Sequence, residues 1–540
     1  MIDTKALREK VLDLAIRGKL VPQDPSDEPA SVLLERIRAE KEQMVKEGKL
    51  KPKDIKNDTI IFKADDNLHY EQFKDGAVKC IEDEIPFKLP EGWAWERMGN
   101  ISSIARGGSP RPIKAYLTTE ENGINWIKIG DTEKDGKYIF STKEKIKPEG
   151  MKKSRYVQSG NFLLTNSMSF GRPYILKTDG CIHDGWLVIG NIESVFNQDY
   201  LYYALSANFM YQTLSVMASG STVDNLNSDL VKALLFPIPP MNEQIRIALK
   251  VEELLTSTEI INENQEVIVT NIKKLKTKIL DLAIRGKLVP QNPDDEPASV
   301  LLERIRAEKE ELIKQGKIKR DKKESVIFKG EDNSYYETVA NNTICINENL
   351  PFDLPLGWSW CKLKSLSAPF DNSFVDGPFG SNLKTEHYTT EKEVRIIQLN
   401  NIGELVWRNT GVKYTTFEHA KTLKRCISYP GDIVIAKMMP AGRAIIIPYN
   451  IDNTFVISSD CVRLKLSEQI NNKYIMYMIN SSTINRNISG DVHGIGRSRT
   501  SLGKLKEIIV PIPPLSEQTL IVEAVETAFS QLDEILNSIA

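Results

Sequence analysis

The chain has 540 residues, of which 41% are hydrophobic, so it is long enough for several domains with apolar cores. It carries 71 Lys and Arg against 73 Asp and Glu, and this net charge of −2 does not by itself indicate nucleic-acid binding. No apolar run reaches the length of a membrane span and the first residues lack a signal-peptide core, so a cytoplasmic protein is expected. Six cysteines without a Cys-x-x-Cys pair argue against a zinc site or a disulfide framework, and no bound metal is expected.

The N-terminal segment, residues 1–50, has the pattern of two helices, over residues 4–17 and 27–47. Residues 12–42 recur as residues 280–310, with 29 identical residues of 31. This near-identity indicates that both copies do the same work in equivalent surroundings. A docking surface for two copies of one partner explains it, and so does a recent duplication that implies no partner.

Residues 51–240 are predicted to form a mixed α/β domain with its core at about 96–236. The domain begins with Leu89-Pro-Glu-Gly-Trp-Ala-Trp95, whose tryptophans are expected to be core anchors rather than ligand stackers. Further along, short apolar runs predict strands near 124–129, 161–164 and 186–189, and a run rich in Tyr and Leu predicts a helix over 198–216.

The central segment, residues 241–320, begins with a long helix over 242–286. Its apolar residues recur at alternating steps of four and three, which is typical of a coiled-coil seam. The polar Thr258 and Gln265 fall on the seam, where polar groups weaken packing but fix register. A long surface helix on a core is the alternative. The predicted apolar seam residues are Leu254, Ile261, Ile268, Ile272, Leu275, Ile279 and Leu282.

Residues 321–514 repeat the plan of the first domain, with a core at about 361–512, and residues 515–540 repeat the seam at an offset of 274. Strands are predicted near 394–399, 432–436, 444–447 and 461–466, and a helix near 472–487. Both cores end in Pro-Ile-Pro-Pro-x-x-Glu-Gln, at 237–244 and 511–518.

The two chain ends fall at nearly the same point of the repeat, since the seam of residues 4–17 matches 272–285 at an offset of 268. The terminal helices are therefore expected to lie end to end, as a second arm antiparallel to the central helix. The predicted fold class is α+β: two mixed α/β domains separated by two long antiparallel coiled-coil regions, in a pseudo-twofold internal repeat.

Charge is unevenly distributed along the chain. Residues 97–236 carry a net charge of +3 and residues 362–512 one of +7, so the remainder carries −12. Two basic regions in an acidic frame fit two nucleic-acid readers on a scaffold that does not itself bind DNA. Chance variation explains the smaller value equally well.

The ordered, doubled motifs resemble the specificity subunit of Type I restriction–modification systems over essentially the whole chain. They are Leu12-Asp-Leu-Ala-Ile-Arg-Gly-Lys-Leu-Val-Pro22, the Leu-Pro-x-Gly-Trp-x-Trp entrances and the Pro-Ile-Pro-Pro-x-x-Glu-Gln exits, each present twice. The resemblance implies two target-recognition domains that each read one half of a split double-stranded DNA target, on a helical frame that sets the spacer. It also implies partners: two methyltransferase subunits that carry S-adenosylmethionine, and restriction–translocase subunits that join for cleavage.

Motifs for catalysis are missing. The sequence has no Asn/Asp-Pro-Pro-aromatic methyltransferase motif and no GxxxxGK[ST] phosphate loop. Gly494-Ile-Gly496 is a lone Gly-x-Gly and is only weak evidence for a glycine-rich cofactor loop. A non-catalytic recognition subunit without a cofactor of its own is therefore expected. The alternatives are a stand-alone bipartite DNA-binding scaffold or repressor and, less favoured, a self-contained restriction enzyme. The target, the spacer length, the modified base and the half-site of each domain do not follow from the sequence.

Glycine- and hydroxyl-rich turns suit phosphates, and Arg, Lys, Asn, Gln, His and Asp side chains suit base edges. The first-domain candidates for DNA contact are Arg106, Gly107, Gly108, Ser109, Arg111, Lys128, Asn166, Ser167, Ser169, Arg172, His183, Asp184, Ser221 and Thr222. The second-domain candidates are Gly377, Gly380, Ser381, Gln398, Asn400, Asn401, Lys437, Arg443, Ser459, His493, Arg497 and Arg499. Solvated loops are the alternative for each of them.

Overall fold

The structure is a computed structural model that describes residues 2–133, 136–166, 170–218, 226–321, 324–340, 342–438, 440–490 and 499–539. It divides into two compact units, Ile2–Asn264 and the residues from Gln265 onward, so that the boundary falls inside the long central helix. No helix among these residues combines the length and the apolar character that crossing a membrane requires.

The first unit begins with two helices and ends with the first half of the long helix. Its helices are α1 (Thr4–Ile16), α2 (Ala30–Lys46), α3 (Met98–Ile101), α4 (Gln198–Ser206), α5 (Asn208–Ala218), α6 (Ser228–Ala233) and the start of α7 (Met241–Ala283). Its strands are β1 (Ile60–Lys63), β2 (His69–Gln72), β3 (Val78–Cys80), β4 (Ala94–Arg97), β5 (Ser103–Arg106), β6 (Leu117–Thr118), β7 (Ile124–Ile127), β8 (Tyr138–Ile139), β9 (Glu144–Ile146), β10 (Arg155–Val157), β11 (Phe162–Thr165), β12 (Pro173–Leu176), β13 (Gly180–Ile182), β14 (Trp186–Gly190) and β15 (Leu235–Ile238).

The strands of the first unit form four sheets. Two five-stranded sheets, in the orders β10-β13-β7-β9-β6 and β5-β14-β11-β12-β8, build the first mixed α/β domain. The pair β4–β15 joins its entrance to its exit, with Trp95 opposite Pro237, and β1-β2-β3 form a separate antiparallel sheet. Strand β11 is central in its sheet, with both edges paired. Its apolar residues from Phe162 to Leu164 are fully buried because both faces of the sheet are covered: Phe162 and Leu164 pack in one core and Leu163 in another.

The second unit repeats most of these elements in the same order, which confirms the internal repeat, although its two large sheets have four strands each instead of five. After the second half of α7, its helices are α8 (Ala298–Lys314), α9 (Phe417–Thr422), α10 (Asn472–Asn480), α11 (Ser482–Ser489), α12 (Leu502–Glu507) and α13 (Leu515–Ser538). Its strands are β16 (Ser325–Lys329), β17 (Tyr335–Val339), β18 (Asn342–Cys345), β19 (Ser359–Lys362), β20 (Phe374–Asp376), β21 (Val394–Ile397), β22 (Tyr414–Thr415), β23 (Ile427–Ser428), β24 (Ile433–Ala436), β25 (Ala444–Ile446), β26 (Phe455–Ile457), β27 (Cys461–Leu464) and β28 (Ile509–Ile512). The sheets follow the orders β16-β17-β18, β19-β28, β20-β27-β24-β25 and β22-β21-β26-β23.

In each unit a terminal helix runs antiparallel to half of α7. In the first unit, the hydroxyl of Thr4 at the start of α1 donates to Asn262 (3.2 Å), and apolar residues of α1 share a core with the beginning of α7. In the second, the ammonium of Lys276 on α7 donates to Asp533 near the end of α13 (2.6 Å). The end-to-end arrangement of the two terminal helices remains a prediction.

The buried stripe on α7 follows a heptad over most of its length. Val251, Thr258, Gln265 and Ile272 are buried at seven-residue intervals, and the predicted seam residues Leu254, Ile261, Ile268, Ile279 and Leu282 are half-buried. Leu275 is 50% exposed and lies outside the seam, which corrects the prediction for this residue. From here the buried stripe is shifted by one position, to Lys276, Leu280 and Ala283. The shift arises because a straight α-helix has 3.6 residues per turn, so a strict 3.5-residue repeat gradually rotates away from one face.

Each predicted helix in the recognition domains is two helices. The predicted helix 198–216 breaks at Ala207, where the backbone is extended between α4 and α5. The predicted helix 472–487 breaks at the equivalent Ser481, whose side-chain oxygen accepts from the N–H of Ile484 and caps α11. Both halves present buried apolar faces, so periodicity alone does not reveal the breaks.

The doubled motifs meet one another inside each unit. The indole N–H of Trp93 donates to one carboxylate oxygen of Glu243 (3.0 Å), and the amide of Gln23 donates to the other (3.1 Å). The second unit repeats both contacts with Trp358, Gln291 and Glu517. The entrance, the exit and the N-terminal motif therefore form one junction, and the tryptophans are buried core anchors, as predicted.

Candidate nucleic-acid interface

The first candidate loop follows β5 and lies against the turn between β13 and β14. The N–H of Gly107 donates to the carbonyl of Trp186 (2.8 Å), and that of Gly108 to the carbonyl of Ile182 (3.2 Å). A Cβ atom on Gly107 would lie 2.1 Å from the carbonyl oxygen of His183, so only glycine fits at this position.

Asp184 connects several of the predicted residues. Its carboxylate accepts from the hydroxyl of Ser109 (2.7 Å) and from the guanidinium of Arg111 (3.2 Å). Its backbone carbonyl accepts from the guanidinium of Arg106 (2.9 Å) and from the amide of Asn166 (2.8 Å). Hydrogen bonding from Ser109 is the largest effect that lowers the pKa of Asp184, so the carboxylate is charged. Loops distant in sequence thus meet at one polar cluster.

The side chain of His183, the residue before Asp184, packs among aromatic residues next to this cluster. Its ring lies between Trp126 and Trp186, with centroid distances of 6.3 Å to each. The N–H of Gly185 donates to Nδ1 (2.6 Å) and the N–H of Ile129 points at Nε2 (3.1 Å). Burial lowers the pKa of His183, and the facing N–H groups further disfavour a cationic ring. The ring is therefore neutral and cannot act as a phosphate-binding cation.

The other described candidates of the first domain border the cluster. Lys128, next to Ile129, forms an ion pair with Glu144 (2.7 Å). The backbone N–H of Arg172 donates to the hydroxyl of Thr165 (2.8 Å), at the hairpin between β11 and β12. Four candidates lie outside the described residues: Ser167, Ser169, Ser221 and Thr222.

The second domain repeats the close approach at Gly377. Its N–H donates to the carbonyl of Cys461 (3.0 Å), and a Cβ atom would lie 1.9 Å from the carbonyl oxygen of Ser458. By contrast, Gly380 has open space around it and Ser381 is exposed, so these two residues form a free loop tip. The sequence does not separate these two kinds of glycine.

A charged network occupies the end of β24 in this domain. The ammonium of Lys437 donates to the carboxylate of Asp376 (3.0 Å), and its backbone N–H donates to the carbonyl of Asp460 (2.8 Å). Arg499 approaches the carboxylate of Asp460 at 4.0 Å. Since Lys437 is 9% exposed, it holds neighbouring loops in place rather than projecting from the surface.

The candidates after β21 have different roles. The side chain of Asn401 is buried, accepts from the N–H of Gln398 (2.9 Å) and donates to the carbonyls of Arg408 (3.0 Å) and Thr410 (2.9 Å). Asn400 also donates to Thr410 (3.2 Å) but is exposed. Asn401 therefore closes a turn, whereas Gln398 and Asn400 lie at the surface or close to it.

The remaining candidates lie on the flanking turns. Arg443, between β24 and β25, forms an ion pair with Glu404 (3.2 Å). Ser459, half-buried, lies in the turn between β26 and β27, next to Gly377. His493 and Arg497 lie outside the described residues.

The two clusters share a backbone and differ in side chains. In the first domain, the backbone N–H of Asn166, directly after β11, donates to the carbonyl of Gly185 in the turn before β14 (3.0 Å). In the second domain, the backbone N–H of Lys437, directly after β24, donates to the carbonyl of Asp460 in the turn before β27 (2.8 Å). The residue before the tight glycine is Arg106 in the first domain and Asp376 in the second, which inverts its charge. Equivalent positions thus present different chemistry.

Several residues of these clusters are absent from the sequence-based candidates. Asp376 and Asp460 are the partners of Lys437 and Arg499, and the guanidinium of Arg155 donates to the carbonyl of Arg106 (2.8 Å). The sequence does contain a signal for Asp376: it directly precedes Gly377, as the candidate Arg106 directly precedes Gly107. No group of His, Cys, Asp and Glu among the described residues is arranged to hold a metal ion.

Comparison with known proteins gives consistent results. A family model described as the Type I restriction modification DNA specificity domain matches residues 90–270 and 386–539. The chain is 27% identical over 590 residues to the EcoEI specificity subunit of the Type I restriction enzyme from Escherichia coli, covering 98% of this chain and 90% of that protein. For the EcoAI specificity subunit from Escherichia coli the identity is 28% over 600 residues, covering 99% and 89%.

A solved structure, from work on complex assembly and conformational transition of the type I R-M system, shares the fold. Its TM-score is 0.53 at 16% identity, and the alignment covers 84% of this chain and 94% of that chain. The family model alone spans more than half of the sequence. The chain therefore belongs to the Type I restriction modification DNA specificity family.

Proposed function

We propose that this chain is the DNA-recognition subunit of a Type I restriction–modification complex. Each recognition domain binds one half of a bipartite double-stranded DNA target, and the helical frame sets the spacer. The frame also docks two methyltransferase subunits, and restriction–translocase subunits join the complex. The chain itself is not catalytic, and S-adenosylmethionine binds to the methyltransferase partner.

The single observation that carries this proposal is the pair of clusters with one backbone and different side chains. The tight glycines Gly107 and Gly377 hold the same turn in both domains. The strand-end residues Asn166 and Lys437 differ, and so do their neighbours Arg106 and Asp376. An identical scaffold with exchanged polar groups is what two readers of different base sequences require, since base edges are distinguished by their donors and acceptors.

The near-identical frame supports partner docking in two copies. Residues 12–42 and 280–310 lie in equivalent places in the two units, on α1 and α2 and on the end of α7 and α8. Much of this sequence is exposed in both units, including Val32 at 45% and its counterpart Val300 at 43%. The same exposed surface, presented twice, suits two copies of one protein.

The experiment expresses the tagged chain together with its neighbouring genes and maps methylated sites on the host DNA. Asp184→Ala should alter the first half-site alone, because it releases Ser109 and Arg111. Lys437→Ala should alter the second half-site alone, because it leaves Asp376 unpaired. The exposed Glu193→Ala is the surface control and should leave both half-sites unchanged.

Co-purification separates the proposal from its alternative. A methyltransferase that copurifies in a two-to-one ratio supports the proposal. A chain that binds a bipartite DNA site without any methyltransferase is a stand-alone scaffold or repressor. A change of both half-sites by either substitution contradicts the assignment of one half to each domain.

A further inference from the structure

A cleft of about 800 Å³ opens in the second unit, between α8, the β16–β18 sheet and the start of the recognition domain. This volume lies in the range of sites for small molecules, about 300–1,000 Å³. Six Lys and Arg residues line it, among them Arg306 and Lys309 on α8, together with five Asp and Glu residues and with Ser325, Cys361 and Phe370. The proposed DNA recognition does not use these residues.

Two cations of this cleft, Arg306 and Lys309, have no carboxylate partner among the described residues, whereas Lys364 pairs with Asp321 and Glu507. The ammonium of Lys309 donates to the carbonyl of Ser365 (2.9 Å) and reaches the hydroxyl of Ser367 (3.5 Å). Within the described part of the unit, no carboxylate oxygen lies within 4 Å of Lys309 or Arg306. Burial lowers the pKa of Lys309 to about 8, so it is still largely charged at neutral pH. A half-buried cation without a counter-ion is costly, and an incoming anion relieves that cost.

In the first unit, the counterpart of Lys309 has its counter-ion in place. Lys41, the counterpart of Lys309, forms an ion pair with Asp58 and donates to the carbonyl of Asn100 (2.9 Å). The buried carboxylate of Glu96 accepts from the amide of Asn100 (2.6 Å) and interacts electrostatically with Arg38.

In the second unit these carboxylates are lost or moved away. Cys361 stands at the position of Glu96, and Ser365 at that of Asn100, as counted from the shared tryptophan. Glu324 replaces Asp58 but does not reach Lys309 within ion-pair distance. The frame has therefore kept both cations, but Lys309 lacks the ion pair that Lys41 makes with Asp58, and the smaller Cys361 leaves space where Glu96 stands in the first unit.

Further unused donors line the same cleft. The hydroxyl of Ser325 and the indole N–H of Trp360 are buried and have no hydrogen-bond partner among the described residues. The ring of Phe370, 46% exposed, adds an apolar surface. Several donors, two of them cationic, match a group rich in acceptor oxygens.

We propose that the cleft binds a small phosphate-bearing molecule, with its phosphate held by Arg306 and Lys309 in the region that Glu96 occupies in the first unit. This site lies in the second unit. The repeat is thus asymmetric at this point, although its frame sequence is nearly identical.

The test is calorimetric titration of the whole chain with adenosine monophosphate, and separately with inorganic phosphate. Wild-type protein should bind the nucleotide at one saturable site. Arg306→Gln combined with Lys309→Gln should weaken binding at least tenfold. The matched control, Arg38→Gln combined with Lys41→Gln in the first unit, should bind like the wild type.

A second variant tests the site even if the double substitution prevents folding. Cys361→Glu restores the internal carboxylate without removing a cation, and it should also weaken binding at least tenfold. Absence of saturable binding of either probe to wild-type protein overturns the proposal, and so does equal binding by Cys361→Glu. If duplex DNA displaces the nucleotide and the Arg306 and Lys309 variant loses DNA affinity, the cleft is part of the DNA interface and the proposal fails.

Discussion

At the residue scale, two candidate glycines of the second domain have opposite surroundings. Gly377 is in van der Waals contact with the turn that carries Ser459, whereas Gly380 has no atom within 4 Å of an added Cβ. The sequence places both in one glycine-rich loop. It cannot separate them, because the constraint on Gly377 comes from Ser458, which is distant along the chain.

This difference gives a matched pair of substitutions. Gly377→Ala should relax or abolish recognition of the second half-site, because the new Cβ forces the loop away from the turn after β26. Gly380→Ala should keep wild-type recognition. The measurement is methylation-site mapping with each variant, and equal effects of the two substitutions would refute the structural distinction.

Glu96 has a pKa that burial raises to about 7 from an ordinary value of 4.5. Between these pH values the folded protein keeps a proton that the unfolded chain has lost, so stability falls as pH rises. Below pH 4.5 the carboxyl is neutral in both states and the penalty disappears.

Glu96→Gln should therefore stabilise the protein at pH 8 by roughly 3 kcal/mol, from a shift of about 2.5 pKa units at 1.36 kcal/mol per unit, and give little gain at pH 4.5. The Gln carbonyl still accepts from Arg97 and Asn100. Urea unfolding at both pH values, followed by tryptophan fluorescence, measures the difference. A gain that does not change with pH would show that ionisation of Glu96 is not its cause.

At the element scale, the start of α7 is fixed by side chains of the exit motif. The carbonyl of Gln244 accepts from the N–H of Asn197 (2.8 Å), and its amide donates to the carbonyls of Val195 (3.0 Å) and Pro239 (3.1 Å). Gln518 at the start of α13 bonds to Asn471 and Pro513 in the same way. The paired motif thus locks each long helix to its recognition domain.

Gln244→Leu should lower the free energy of unfolding by about 3 kcal/mol, because it leaves two buried carbonyls and one part-buried N–H unpaired at about 1–3 kcal/mol each. Gln518→Leu should have a similar effect in the second unit. Asn242→Leu, at an exposed position two residues earlier, is the control. Equal denaturation midpoints for Gln244→Leu and Asn242→Leu would argue against a locking role.

The long helices and most central strands could be predicted because their signals are local. A seven-residue repeat fixes a coiled-coil helix, and runs such as 162–165 are buried strands flanked by turn residues. The breaks at Ala207 and Ser481 and the shift of the seam at Leu275 depend on what packs against these segments. The cluster around Asp184 could be predicted only as a set of candidates, since its members come from three separate loops.

At the scale of the whole molecule, α7 is continuous from one unit to the other. The contact of Thr4 with Asn262 lies before the unit boundary, and the contact of Lys276 with Asp533 lies after it. An insertion of a whole heptad between Asn264 and Gln265 therefore keeps the buried stripe on one face and leaves the helix pairing inside each unit intact. We therefore expect the length of α7 to set the distance between the two recognition domains.

Inserting seven residues at this boundary should lengthen the spacer of the DNA target and leave both half-sites unchanged. Seven residues return the buried stripe to the same face and add at most about 10 Å of helix, which corresponds to about three base pairs at 3.4 Å each. Inserting two residues is the control, because it rotates the stripe away from its partner and should cost stability. Methylation-site mapping gives the spacer of each active variant. An active seven-residue variant that keeps the original spacer would show that α7 does not act as the ruler, since the distance between half-sites would then be set by the recognition domains themselves.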